Sequence, residues 1–228
     1  MLMRGNATAG DIYGRMPWAV RRAFVSAAIP MTLNQRETLF HAGDSGDGCY
    51  YVRSGVVKAS VIARDGQERL LAMLGAGALI GEISLIDQQP RSATVQALRD
   101  CSLLHLTSTA FFTLADSNPM IYRQALRILA QRLRGTNDSV VAQSTASVAG
   151  RVARAFTSLA EGLGVRLDES RIVLPHRITQ SDIAGMAGVA RENASRAIND
   201  LLREGVLGRN GSFYVIERAG ELKELSEI

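Results

Sequence analysis

Residues 179–216 read TQSDIAGMAGVARENASRAINDLLREGVLGRNGSFYVI, and this stretch decides how the C-terminal part folds. Thr179 offers a side-chain oxygen to cap a helix, and the run ends near Gly188, so a short helix is expected over 179–188. A second helix is expected over Arg191–Arg203. Its apolar residues Ala194, Ile198, Leu201 and Leu202 fall on one side, with Glu192, Ser195 and Arg196 on another and Arg191 at its edge. Val206–Ile216 then contains Asn210-Gly211, a two-residue turn signal that predicts a hairpin. Two helices at a tight turn followed by a hairpin make a winged helix-turn-helix.

The division of the second helix is the one that base reading needs, because the N-terminal residues of such a helix meet base edges in the major groove. Arginine can donate two hydrogen bonds to guanine, and glutamate can accept from the cytosine amino group. The commoner fate of such residues is a solvated face with pairs such as Glu192–Arg196; the preceding helix, the turn and the hairpin tip the balance to DNA. Bulk charge does not. The chain carries a net +4, yet residues 151–228 hold 11 Lys and Arg against 11 Asp and Glu, while residues 1–150 hold 15 against 11.

With 228 residues, 46% of them hydrophobic and 21% charged, the chain suits a globular protein of one large domain or two ordinary ones. No window approaches the roughly 18 apolar residues of a membrane span, and the first 20 residues lack the apolar core of an export signal. Cys49 and Cys101 are far apart with no CxxC spacing, which argues against a disulfide framework, a zinc site or a cysteine-held cluster. A reducing, cytoplasmic setting without membrane contact is expected. His41, His105 and His176 are isolated, and no nucleophile–base arrangement stands out. A metal-dependent, cupin-like enzyme is therefore a remote alternative; no enzyme and no metal site are expected.

From about Glu37 to Leu106 short β-prone runs (Tyr50, Val52, Val57, Ala59, Val61, Leu70) are broken at Gly43-Asp44, Ser54-Gly55, Asp65-Gly66 and Gly75-Ala-Gly77, the pattern of a small barrel or roll, with Asp65-Gly66 as a hairpin signal. After Asn118-Pro119 a long helix is expected. Tyr122, Leu126, Leu129, Leu133, Thr136, Val140 and Gln143 recur at spacings of four and three, a coiled-coil-like seam that fits a homodimer. The plainer alternative is an amphipathic helix lying on its own roll. Ser147 is placed to cap the next helix, from Val148.

This order of glycine-rich roll, long helix and winged helix-turn-helix resembles the Crp/Fnr family of bacterial transcription regulators. The resemblance implies an α+β chain: an N-terminal cyclic-nucleotide-binding-like β-roll in 1–117, a dimerisation helix and hinge in 118–146, and the winged helix-turn-helix in 147–228. Arg191, Glu192 and Arg196 match the catabolite activator type, which reads TGTGA-like half-sites, whereas Glu192, Ser195 and Arg196 match the Fnr type, which reads TTGAT-like ones. Gln180 stands where the first type has a phosphate-contacting arginine. Thr179, Gln180, Ala190, Arg191, Glu192, Asn193, Ser195 and Arg196 form the candidate DNA-binding set, with a palindromic double-stranded site and RNA polymerase as the implied partners.

The resemblance also gives meaning to residues 81–98, GEISLIDQQPRSATVQAL, as a phosphate-binding cassette. A cyclic phosphodiester needs a guanidinium, a hydroxyl and free N–H groups, which Arg91, Ser92 and the turn Gly81, Glu82, Ile83 and Ser84 can supply. Glu82 would accept from the ribose hydroxyl, with Leu71, Leu74 and Ile83 as apolar walls. Thr136 aligns with the family threonine that bonds the adenine amino group, and Asn137 with a position contributed by the partner subunit. Two departures are Asn137, usually serine, and Ala72, where that type has a serine. The ligand so implied is cAMP, with cGMP second; there is no covalent cofactor. The rival is a plain Glu82–Arg91 salt bridge closing a turn without a ligand. Other signals weigh less. An iron–sulfur cluster lacks N-terminal cysteines, haem has only Cys49 and His105 as weak candidates, and cyclic di-GMP stays open.

Overall fold

In this computed structural model, residues 17–64, 66 and 68–227 are described, the side chains of 142–145 excepted. Asp65 of the expected β-hairpin turn and the side chain of Gln143 in the seam lie outside the described residues. In chain order, α1 (Trp18–Ala27) leads into β1 (Ile29–Leu33), β2 (Thr38–Phe40), β3 (Gly48–Ser54), β4 (Val57–Ile62), β5 (Glu68–Leu74) and β6 (Leu79–Ile80). The short helix α2 (Glu82–Asp87) precedes β7 (Thr94–Ala97) and β8 (Cys101–Thr107), and α3 (Ser108–Ser117) precedes the long α4 (Met120–Thr145). Then come α5 (Val148–Leu163), β9 (Val165–Arg166), β10 (Ile172–Leu174), α6 (Gln180–Ala187), α7 (Arg191–Arg203), β11 (Leu207–Asn210), β12 (Phe213–Ile216) and α8 (Ala219–Leu225). The chain divides into two compact units, Met73–Leu133 with the described residues before Ile62, and Ile62–Ala72 with the residues from Arg134 on.

The first unit is a roll of antiparallel strands, ordered β1-β8-β3-β6 and β2-β7-β4. Residues 48–52 of β3 are buried throughout because both faces of that sheet are covered. Cys49 and Tyr51, with Leu104 and Leu106 of β8, pack with Phe24 of α1, Phe111 of α3 and Ile121, Ala125 and Ile128 of α4. Alternation sends Tyr50 and Val52, with Cys101 and Leu103, to the other face, against Val57, Val95 and Ala97. Phe24 is 1% exposed, and burying such a side chain stabilises the fold by about 2–3 kcal/mol. α1 and α3, which no periodicity announced, therefore exist to close the open side of this sheet.

α4 carries two different apolar faces. Ile121, Ala125 and Ile128 are buried in the roll's helical layer. Leu126, Leu133 and Val140, seven residues apart, are each 62% exposed. One face thus lies on its own roll, as the plainer alternative expects; of the seam residues Tyr122 packs against the roll's core and Leu129 is half-buried. α4 ends before Ser147, whose Oγ accepts from the Gly150 amide at 3.0 Å and caps α5 as expected.

In the second unit α5 buries Val152, Phe156, Leu159 and Leu163, and Phe156 meets Tyr214 of β12 edge-on at 5.0 Å. α6 opens with a full capping box: the Thr179 hydroxyl accepts from the Asp182 amide at 3.1 Å, and the Asp182 carboxylate accepts from the Thr179 amide at 2.9 Å. It closes at Gly188 in the left-handed region, φ +61°. Thr179→Ala is expected to cost about 1 kcal/mol and to lower the thermal midpoint by a few degrees, as differential scanning calorimetry would read it; an unchanged midpoint would mean that the box is redundant. The sheet β11-β12-β10-β9 completes the unit. The hairpin is present, but its turn is one residue later than the sequence suggests. Asn210 pairs with Phe213, so Gly211-Ser212 are the two loop residues. Gly211 has φ +61° and Ser212 does not enter the positive region, which suits a glycine-first turn rather than one needing two left-handed residues.

Candidate functional site

Gly81 turns the chain out of β6 with φ +78°, and a Cβ there would lie 2.3 Å from Nη1 of Arg91. Only glycine allows the guanidinium this close to the backbone. Arg91 is itself fixed from both ends. Its amide donates to the Asp44 carbonyl and its own carbonyl accepts from Gly43, both at 2.8 Å. Its side chain runs inward, 2% exposed, over the ring of Phe40 at 4.3 Å. Nη1 donates to the carbonyls of Gly48 (2.9 Å) and Gly81 (3.0 Å) and to Ser84 Oγ (2.7 Å). Nη2 donates to Asp47.

Glu82 is fully buried at the start of α2. Its Oε1 accepts from Nη1 of Arg132 on α4, while Arg132 Nη2 holds the Leu79 carbonyl at 2.7 Å. Its Oε2 is buried with no hydrogen-bond partner, as is Nε of Arg91. Burial pushes the Glu82 carboxyl up, and the attraction of Arg132 offsets this only in part. The plain Glu82–Arg91 salt bridge is thereby overturned: each residue takes a different partner, because α2 carries Glu82 toward α4 while the 88–91 loop carries Arg91 toward the turn before β3.

Asp47 is the hub of that turn. It accepts from the Tyr50 hydroxyl at 2.9 and 2.8 Å, pairs with Arg91, and lies 3.5 Å from Nε2 of His105. Burial raises its carboxyl, but the Tyr50 hydrogen bond and the attraction of His105 and Arg91 outweigh it and hold the group below its ordinary value. Burial, then the bond to Asp47, push the Tyr50 phenol up, so it stays a donor.

The other expected ligand residues are spread out. Ser84 is buried and bonded to Arg91; Ile83, Ala72 and Leu74 are half-buried; Ser92 is exposed. Thr136 and Asn137 are exposed on α4 in the second unit, as is Leu71. The sequence reading missed Asp47 and Arg132. Arg132 had a signal, since it precedes Thr136 by one helical turn and so shares its face. A cavity of about 230 Å³ beside α2, lined by Gly46, Ser84, Gln88, Ser108 and Phe112 among others, contains neither Glu82 nor Arg91.

On α7, Arg191, Glu192, Asn193 and Arg196 are exposed and Ser195 half-buried, opposite the buried Ala194, Ala197, Ile198 and Leu201. Leu202 is only half-buried. Among the described residues Glu192 and Arg196 form no ion pair, so the expected i,i+4 alternative is absent. Ala190 caps the helix without a side-chain hydrogen bond, which leaves first-turn N–H groups for an outside acceptor. Thr179 is exposed and Gln180 half-buried at the start of α6. Among the described residues no helix is long and apolar enough to cross a membrane, and no group of three or more His, Cys, Asp or Glu could hold a metal ion.

Comparison with known proteins places these features in context. Residues 30–118 match a family model described as a cyclic nucleotide-binding domain, and residues 150–225 match a Crp-like helix-turn-helix domain. The chain is 31% identical to the CRP-like cAMP-activated global transcriptional regulator of Mycobacterium tuberculosis over 95% of this chain and 96% of that one. It is 33% identical to the cyclic AMP receptor protein of Thermus thermophilus over 84% and 85% of the two chains. Its fold is similar to that of the c-di-GMP responsive global regulator CLP of Xanthomonas campestris, with a TM-score of 0.69, 22% identity and coverage of 88% and 99%.

Proposed function

The chain belongs to the Crp/Fnr family of transcription regulators, and from that premise we propose a homodimer whose hold on a palindromic DNA site is switched by a cyclic nucleotide, cAMP before cGMP. It is a DNA-binding regulator with a cyclic nucleotide-binding domain, not an enzyme. The observation that carries the ligand reading is the pair of buried, incompletely partnered charges, Glu82 and Arg91. A buried carboxylate oxygen with no donor is costly, and a ribose hydroxyl would supply one. A cyclic phosphate monoanion would take the Arg91 guanidinium, with Ser92 and the 81–84 amides beside it. Thr136 would meet the base, and Asn137 would reach it from the partner subunit.

Dimerisation through α4 is supported by the exposed Leu126, Leu133 and Val140 at heptad spacing. Two α7 helices in one dimer would enter successive major grooves about 34 Å apart. The nucleotide can act only through a higher affinity for the DNA-competent arrangement. The regulator would work in the cytoplasm, with RNA polymerase as a further partner. Cyclic di-GMP is the second reading, favoured by the likeness to a c-di-GMP responsive regulator.

Two measurements test this. Fluorescence anisotropy on palindromic TGTGA- and TTGAT-type DNA should show binding that strengthens with cAMP; strengthening only with cyclic di-GMP would replace the ligand, and equal binding without any nucleotide would remove the switch. For Glu82, wild type should bind 2′-deoxy-cAMP about tenfold or more weaker than cAMP, the worth of a hydrogen bond to a charged group, and Glu82→Ala should lose that discrimination. If the mutant keeps it, the ribose contact lies elsewhere.

A further inference from the structure

His105 is a half-buried titratable group beside the cassette with no part in the proposed nucleotide contacts. Alternation along β8 puts it on the inner face of the roll with Cys101 and Leu103, directly across from Tyr50 of β3. The two rings stack at 4.6 Å between centroids and 16° between planes. The imidazole is 16% exposed, and Nε2, 3.5 Å from Asp47 Oδ2, is buried without a hydrogen bond. The charged and titratable groups that face it are Asp47 from the turn before β3, Tyr50 from β3 and, across Asp47, Arg91 from the loop after α2. Its neighbour on β1 is the uncharged Ile29.

Asp47 therefore stands between two bases, and Arg91 now holds it. An anion that takes Arg91 leaves this carboxylate, 56% exposed, with the Tyr50 hydroxyl and solvent and with a second negative charge nearby. Bringing a second negative charge to the buried Arg91 beside an exposed carboxylate is unfavourable, though solvent softens the repulsion. Tyr50 cannot neutralise Asp47, since it already donates its proton there as a hydrogen bond. Imidazole can, because it gains a proton near neutral pH.

We infer that His105 is a proton-linked positioning residue of the anion site: as the ligand phosphate takes Arg91, the imidazole accepts a proton from solvent at Nε2 and takes over Asp47. Nucleotide binding then consumes a proton and strengthens as pH falls. This rests on the cassette reading of Arg91. Asp47 is the internal competitor that the ligand displaces, and His105 sets how readily it lets go.

The test is isothermal titration of the full chain with cAMP between about pH 6 and 8, in pairs of buffers with different ionisation enthalpies. Wild type is expected to take up a fraction of a proton per site and to bind at least about threefold tighter at the acid end, as linkage requires. His105→Gln should bind cAMP with a flat pH profile and buffer-independent heat. Asp47→Asn, which keeps the side chain's shape, should also lose the proton uptake and should bind more tightly than wild type. Wild-type binding with no proton exchange, or uptake that persists in His105→Gln, overturns the inference while leaving the cassette intact. No binding of cAMP, cGMP or cyclic di-GMP by wild type at any pH removes the cassette reading and this inference together.

Discussion

Arg91→Leu is expected to lower cAMP affinity by at least about a hundredfold while the protein stays folded and dimeric. The expectation follows from burial. Arg91 is 2% exposed and stacked over Phe40, so its charge acts where water screens little, and each hydrogen bond it would give a charged phosphate is worth about 1.5–3 kcal/mol. Leucine also strips a donor from the carbonyls of Gly48 and Gly81. Unsatisfied acceptors cost about 1–3 kcal/mol each when buried, so a lower thermal midpoint should accompany the lost affinity. The two effects separate in Arg91→Gln, which keeps a donor for a carbonyl but not the charge: it should recover stability and not affinity. Calorimetric titration and thermal unfolding of both variants read this out. Unchanged affinity in Arg91→Leu would refute the pocket assignment.

The second large effect is expected at Arg196→Ala. Arg196 is exposed on the polar face of α7 and has no ion-pair partner there among the described residues, so in the proposed complex it is free to donate two hydrogen bonds to a guanine. Its loss should weaken binding to the preferred half-site by about 1–3 kcal/mol and relax discrimination at one base position. Binding across a panel of single-base variants of the site distinguishes this from a backbone contact. An equal loss on every sequence, with a shallower salt dependence, would make Arg196 a phosphate contact instead.

What the sequence disclosed follows from where the information is local. The threonine cap at Thr179, the glycine at 188 and the polar and apolar sides of α7 are all set by residues within a turn or two of each other, and the structure has them in place. The heptad spacing of the exposed Leu126, Leu133 and Val140 on α4 is legible for the same reason. The wing's turn shifted by one residue because Asn-Gly is a propensity, while register is fixed by cross-strand pairing of Arg209 with Tyr214 and Gly208 with Val215. Glu82 and Arg91 were legible as chemistry but not as geometry. Their partners, Arg132 and Asp47, lie 50 and 44 residues away along the chain, and no local pattern encodes such a contact. His105 stands isolated in the sequence for the same reason: its neighbours Tyr50 and Asp47 are brought beside it only by strand pairing. Likewise α1 has no sequence signature beyond Val20 and Phe24, and its role is to cover a sheet that the chain forms later.

The central claim is that the roll holds a cyclic nucleotide between Glu82 and Arg91. Isothermal titration of the purified protein with cAMP, with cGMP and cyclic di-GMP run beside it, tests that most directly. The expected result is saturable binding of one cAMP per protomer in the micromolar range, weaker for cGMP and lost in Arg91→Leu. Absence of binding by all three would contradict it. The DNA-binding regulator would remain, with Glu82 and Arg91 reduced to structural ion pairs with Arg132 and Asp47.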